Sequence, residues 1–117
     1  MSWNIFKKEN PNKNNPDLIK ADIISTIKIL ESIKENITED SEFLWTSYEN
    51  AEELNSEINS IILRLEQQDI KAISDVYLHF LPTSTFQEHS MMNNWIEKYM
   101  KLAEKFDHIY ERNKNYA

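Results

Sequence analysis

The chain has no glycine and no cysteine, and only three prolines in 117 residues. Without glycine, no loop can bring bare backbone against a phosphate or hold the tight turn beneath a nucleophile. The Walker loop, the dinucleotide fingerprint and the nucleophile elbow are therefore excluded. Without cysteine there is no disulfide framework, thiolate zinc site, iron–sulfur cluster or thiol nucleophile. Arginine is nearly missing too, with Arg64 and Arg112 alone, and the formal net charge is −7. Phosphate-backbone recognition depends on Lys and Arg releasing counterions, so nucleic acid is not expected as a direct partner. No apolar run approaches the ~20 residues of a bilayer span, and Met1 to Lys8 lack a signal-peptide core, which leads to the expectation of a soluble, cytoplasmic protein.

What is present reads as one globular unit. Apolar residues make up 40% and charged residues 28%, enough to build a core in a chain long enough for one domain and too short for two. The abundance of Ile, Asn and Lys fits an AT-rich, bacterial coding sequence. Residues 1–15 read as an N-terminal extension. Its head, Trp3-Asn4-Ile5-Phe6-Lys7-Lys8, is followed by an Asn/Pro linker, Glu9 to Pro16, whose prolines withhold backbone donors and whose asparagines bond their own backbone. The head either packs back on the body, stays disordered or docks on another molecule. Residues 113–117 read as a polar tail.

Between them, residues 16–112 carry apolar stripes at helical spacing, which predicts an all-α domain, a single antiparallel four-helix bundle. The first helix opens at Asn15 as N-cap, with Pro16 at its first position, and its stripe is Ile19, Ile23, Ile27, Leu30 and Ile33. The second is capped by Thr38, Asp40 or Ser41. It carries the clearest seam, Leu44, Tyr48, Ala51, Leu54, Ile58, Ile61 and Leu65. Asp69 caps a third helix with Ile70, Ile73, Val76, Tyr77 and Phe80, which Pro82 stops. A fourth starts in a capping box, Ser84 with Gln87 or Thr85 with Glu88, and runs through Met92, Trp95, Tyr99, Leu102, Phe106 and Ile109.

The charge is concentrated in one segment. Glu39 to Asp69 holds nine acids against Arg64 alone, a charge of −8, whereas the flanking segments are close to neutral. On a helix of 100° per residue with Ala51 at zero, Glu42, Glu49, Glu53 and Glu57 fall between about 160° and 240°, opposite the seam, and Trp45 at about 120° stands beside them. Such a face either solvates the protein or steers a basic partner onto it. The functional expectation is a small protein-binding module that docks a basic partner through Glu42, Trp45, Tyr48, Glu49, Glu53 and Glu57, with Trp45 and Tyr48 as anchors. Its most specific form is an inhibitor or immunity-like protein whose carboxylates stand where phosphates would sit. No enzyme activity, cofactor or metal is expected on this reading.

Two alternatives remain open at this point. His79 and Asp75 on the third helix, with His89 and Glu88 on the fourth, meet across the Pro82 turn and form a candidate metal or acid/base cluster, although no ligand spacing of a known site is present. A structural homodimer through the Trp45 flank is the other. His108, beside Asp107 and four after Glu104, reads as a surface pair. Met91, Met92 and Met100 read as core filler, with an adaptable binding surface as the other reading.

Overall fold

The computed structural model describes residues 16–115. The N-terminal extension, the Asn15 cap and the last two residues lie outside the described residues. Among the described residues the chain forms α1 (Pro16–Lys34), α2 (Ala51–Glu66), α3 (Ala72–Phe80), α4 (Thr85–Met92) and α5 (Ile96–Asn113), with no strand. The domain is all-helical as expected, but five helices replace the four.

The extra helix comes from a break at Asn93-Asn94-Trp95. Asn94 takes φ 65° and the Trp95 N–H returns to Ser90 O at 2.9 Å, so α4 closes with a left-handed residue and α5 leaves in a new direction. The same device ends α2. Gln68 takes φ 66°, Gln68 N bonds Leu65 O at 2.9 Å and Asp69 N bonds Arg64 O at 3.0 Å, a Schellman closure made without glycine.

The second helix starts later than its stripe implied. Asn50 is its N-cap, accepting from Glu53 N at 2.8 Å. Thr38 and Ser41 are spent on each other instead, with Thr38 N donating to Ser41 Oγ at 2.9 Å. Residues 35–50 are therefore a loop, and Glu42, Leu44, Trp45, Tyr48 and Glu49 do not belong to the helix. The physical reason lies in Phe43-Leu44-Trp45-Thr46-Ser47-Tyr48, where hydroxyl and aromatic side chains favour local backbone bonds over helix. Asp69 likewise accepts from Lys71 N at 3.1 Å rather than capping a helix at Ile70, and α3 begins at Ala72. Neither capping box forms as expected. The Ser84 hydroxyl donates to Leu78 O at 2.8 Å, and Gln87 Oε1 accepts from Thr83 N at 2.6 Å.

The core runs through all five helices. Leu30 and Ile33 of α1 meet Leu54, Ile58 and Leu65 of α2, Ile73 and Val76 of α3, Phe86 of α4 and Phe106 of α5, all buried. Each contributes about 1.5 to 3 kcal/mol by leaving water. Phe80 sits at an aromatic centre, edge-on to Phe86 at 5.1 Å and stacked on Phe106 at 4.9 Å. Ile19 and Ile27 of the expected first stripe are only half-buried, because α1 is turned so that Asp22, Thr26 and Ile29 face inward. Met91 and Met100 are exposed rather than core filler.

Asp22 explains that turn. Arg112 reaches it with Nη2 at 2.7 Å and Nε at 3.1 Å, and Asn113 Nδ2 donates to it at 3.0 Å. This ties the first half of α1 to the end of α5, while Lys98 and Glu35 pair at 3.8 Å at the opposite end, so the two helices run antiparallel. Asn113, placed in the tail by the sequence reading, is the last residue of α5 and is buried.

Candidate functional site

The site is built on the loop between α1 and α2 rather than on a helix face. Ile37 and Phe43 are the loop's anchors in the core, and Phe43 lies against the His89 ring at 5.1 Å. Asn93, at the end of α4, clamps it from the other side. Asn93 Oδ1 accepts from Glu42 N at 2.7 Å, and Nδ2 donates to Glu42 O at 3.0 Å and to His89 O at 2.8 Å. Within the loop the Thr46 hydroxyl is shared between the Phe43 and Tyr48 carbonyls and accepts from Tyr48 N at 3.1 Å. The Thr46 bonds and the Asn93–Glu42 pair thus fix the turn that joins Phe43 to Tyr48.

With Phe43 directed inward, the next two side chains stand outside. Leu44 is 83% and Trp45 59% exposed, the first of them the most exposed large apolar side chain among the described residues. The Trp45 N–H points at Met92 Sδ, 3.4 Å away, which seats the turn on α4. Beside Trp45 lies a hollow of 230 Å³ lined by Thr46, Ser47, Thr83, Ser84, Thr85 and Glu88. It is polar, and Glu88 supplies its one formal charge.

The expected acids are all at the surface. Glu42 and Glu49 lie on the loop, Glu53 and Glu57 on α2, and all four are exposed. Among the described residues no lysine pairs with them. The one base of the acidic segment, Arg64, is occupied by Asp69 at 3.1 Å and by Asp75, and these hydrogen bonds raise its pKa above the ordinary guanidinium value. Glu57 Oε2 lies 3.5 Å from His79 Nε2. Tyr48 is half-buried on this ridge, 6.3 Å from His79, and burial first, then Glu57 and Glu53, raises its phenol above the usual value. Glu53, Glu57 and Tyr48 therefore form one group, and Glu42 stands with Leu44 and Trp45 on the other limb of the loop. What the helical arithmetic could not supply was this division. The signals for it were Asn50 as the better cap and Thr46 as a loop hub.

The histidine and carboxylate cluster proposed across the Pro82 turn is not assembled. Asp75 is held by Arg64, His79 Nδ1 faces Thr85 Oγ1 at 3.2 Å, and His89 Nδ1 accepts from Trp95 Nε1 at 3.0 Å. Among the described residues no group of three or more His, Asp or Glu could hold a metal ion. His89 is wholly buried, and burial alone pushes its pKa down to about 4. His108 is exposed, and no ion pair holds it to Asp107 or Glu104.

No helix among the described residues is long and apolar enough to cross a membrane. Comparison with known proteins returns no match to the chain, whether among family models, curated proteins or solved structures.

Proposed function

We propose that the protein is a binding module for a basic protein, engaged through the Leu44-Trp45 turn with Glu42, Glu49, Glu53 and Glu57 around it and Tyr48 at its base. The observation that carries this reading is a large apolar pair, 83% and 59% exposed, on a turn held in place by Asn93, Phe43 and Thr46. A monomer gains nothing in stability by holding such a pair in water. A partner gains an anchor whose backbone is already ordered. The exposed carboxylates steer a cationic surface toward the anchor, and the hollow beside Trp45 offers Glu88 and several hydroxyls to an incoming Lys or Arg side chain. An inhibitor or immunity-like role is the most specific form of the proposal.

The test is capture of binding proteins from an extract of the native host by three forms of the full chain: wild type, Trp45→Ala, and Glu49→Lys combined with Glu53→Lys and Glu57→Lys. The reading expects a basic protein retained by wild type at low salt, released as salt rises, and lost from both variants while their melting temperatures stay near wild type. Retention of every captured protein by both variants, or capture of none by wild type, contradicts it.

A further inference from the structure

A second surface has the opposite character. Between α1 and α5 runs a groove of 390 Å³, within the size range of small-molecule sites. Two ladders line it with matching spacing, Ser25, Lys28 and Ser32 on α1 and Lys105, His108 and Arg112 on α5. Each covers seven residue steps, or about 10 Å of helix. Beneath them Ile29, Leu102 and Ile109 form an aliphatic floor. Among the described residues no carboxylate lines the groove, in a chain with 20 Asp and Glu.

The cations here are not all equal. Arg112 is balanced by Asp22, which lies 3% exposed below it. Lys28 and Lys105 make no ion pair among the described residues. Three nearby acids are drawn off by other lysines: Glu31 by Lys34 at 3.4 Å, Glu35, just past the end of α1, by Lys98 at 3.8 Å and Glu111 by Lys114 at 2.9 Å. Glu104 and Asp107 are exposed on α5 outside the lining. The result is a net positive, hydroxyl-bearing trough on an acidic molecule. A polyanion long enough to leave the trough meets the negative remainder of the surface, whereas a compact anion does not.

We propose that this groove binds an amphiphilic anion, a carboxylate or phosphate head on an aliphatic body of roughly the groove's length. The head is held by Lys28 and Lys105, with the hydroxyl of Ser25 or Ser32 at the end it occupies, in charge-assisted hydrogen bonds. The body lies on Ile29, Leu102 and Ile109, with the lysine stems closing over it. The two head chemistries share one mode of recognition, and the experiment separates their sources.

Calorimetric titration of the full chain in low-salt buffer, with octanoate and octyl phosphate below their micellar concentrations and acetate and inorganic phosphate as head-only ligands, tests the proposal. At least one amphiphile saturates a single site, about tenfold or more tighter than its head alone, and the stronger of the two identifies the head. Lys28→Gln with Lys105→Gln, both exposed and so compatible with an intact fold, weakens that binding about tenfold or more, and amide shifts in spectra of wild type map to α1 and α5. The proposal is overturned if neither amphiphile saturates, if a head alone binds as tightly, or if the double variant binds like wild type. Dimerisation that the double variant abolishes, without amphiphile binding, overturns it as well by assigning the groove to a second copy.

Discussion

His89 and Asp22 are the two buried polar side chains with the largest consequences. Trp95 donates to His89 Nδ1, so the ring's proton sits on Nε2, which is buried without a hydrogen-bond partner. The ring is thus held neutral, with a pKa near 4 in the fold against about 6.5 for a free histidine. Because the folded value is depressed, the unfolded chain binds a proton that the folded chain refuses, and stability falls as pH drops from about 6.5 toward 4, by up to roughly 3 kcal/mol. Thermal melts at pH 7 and pH 5 should show this fall, and His89→Gln, which keeps an acceptor for Trp95, should reduce it. An equal fall in both proteins would exclude His89 as the cause. Asp22 is the converse, a buried carboxylate fully engaged by Arg112 and Asn113. Asp22→Ala leaves the Arg112 guanidinium without its ion-pair partner and takes one acceptor from the Asn113 amide, which keeps the Ile109 carbonyl. Denaturant titration should register a loss of about 3 kcal/mol.

At the level of elements, the absence of glycine puts Gln68, Thr83 and Asn94 into the left-handed region at φ 66°, 60° and 65°. A side chain there costs of order 1 kcal/mol that glycine does not incur. Gln68→Gly should therefore stabilise the protein by up to about 1 kcal/mol, read as a higher unfolding midpoint. Asn93→Ala should speed hydrogen exchange at Glu42 and along the loop while leaving α2 and α5 protected, since it removes the clamp and nothing from the core. Much of the helical order was legible in the sequence: the seam from Ala51 to Leu65 and the stripe from Tyr99 to Ile109 are buried as spacing required. The missed features are turns without the residues that normally announce them. Asn94 carried the break between α4 and α5, yet Met92, Trp95 and Tyr99 keep helical spacing across it. Leu44 and Tyr48 continue the α2 periodicity by coincidence of spacing, so the loop that presents Trp45 looked like helix. The exposure of Glu53 and Glu57 was legible, and the clamp that aims Leu44 was not, because it depends on Glu42 meeting Asn93 across 51 positions of sequence.

The molecule as a whole has two sides, an acidic ridge from the loop to α2 and a positive trough between α1 and α5. Among the described residues no lysine pairs with Glu42, Glu49, Glu53 or Glu57, so these carboxylates repel one another in the folded state. Raising salt from about 0.02 M to about 0.5 M should raise the melting temperature by screening that repulsion, while weakening any complex formed through the ridge. Opposite responses of stability and binding to the same salt series distinguish a docking ridge from a face that only keeps the protein in solution. The most direct measurement places a photo-crosslinking amino acid at Leu44 in the native host, with the same substitution at Leu63, also an exposed leucine, on α2, as reference. The account predicts a discrete crosslinked species containing a basic protein from position 44 and none from position 63. No crosslink from position 44, or the same species from both positions, would contradict it.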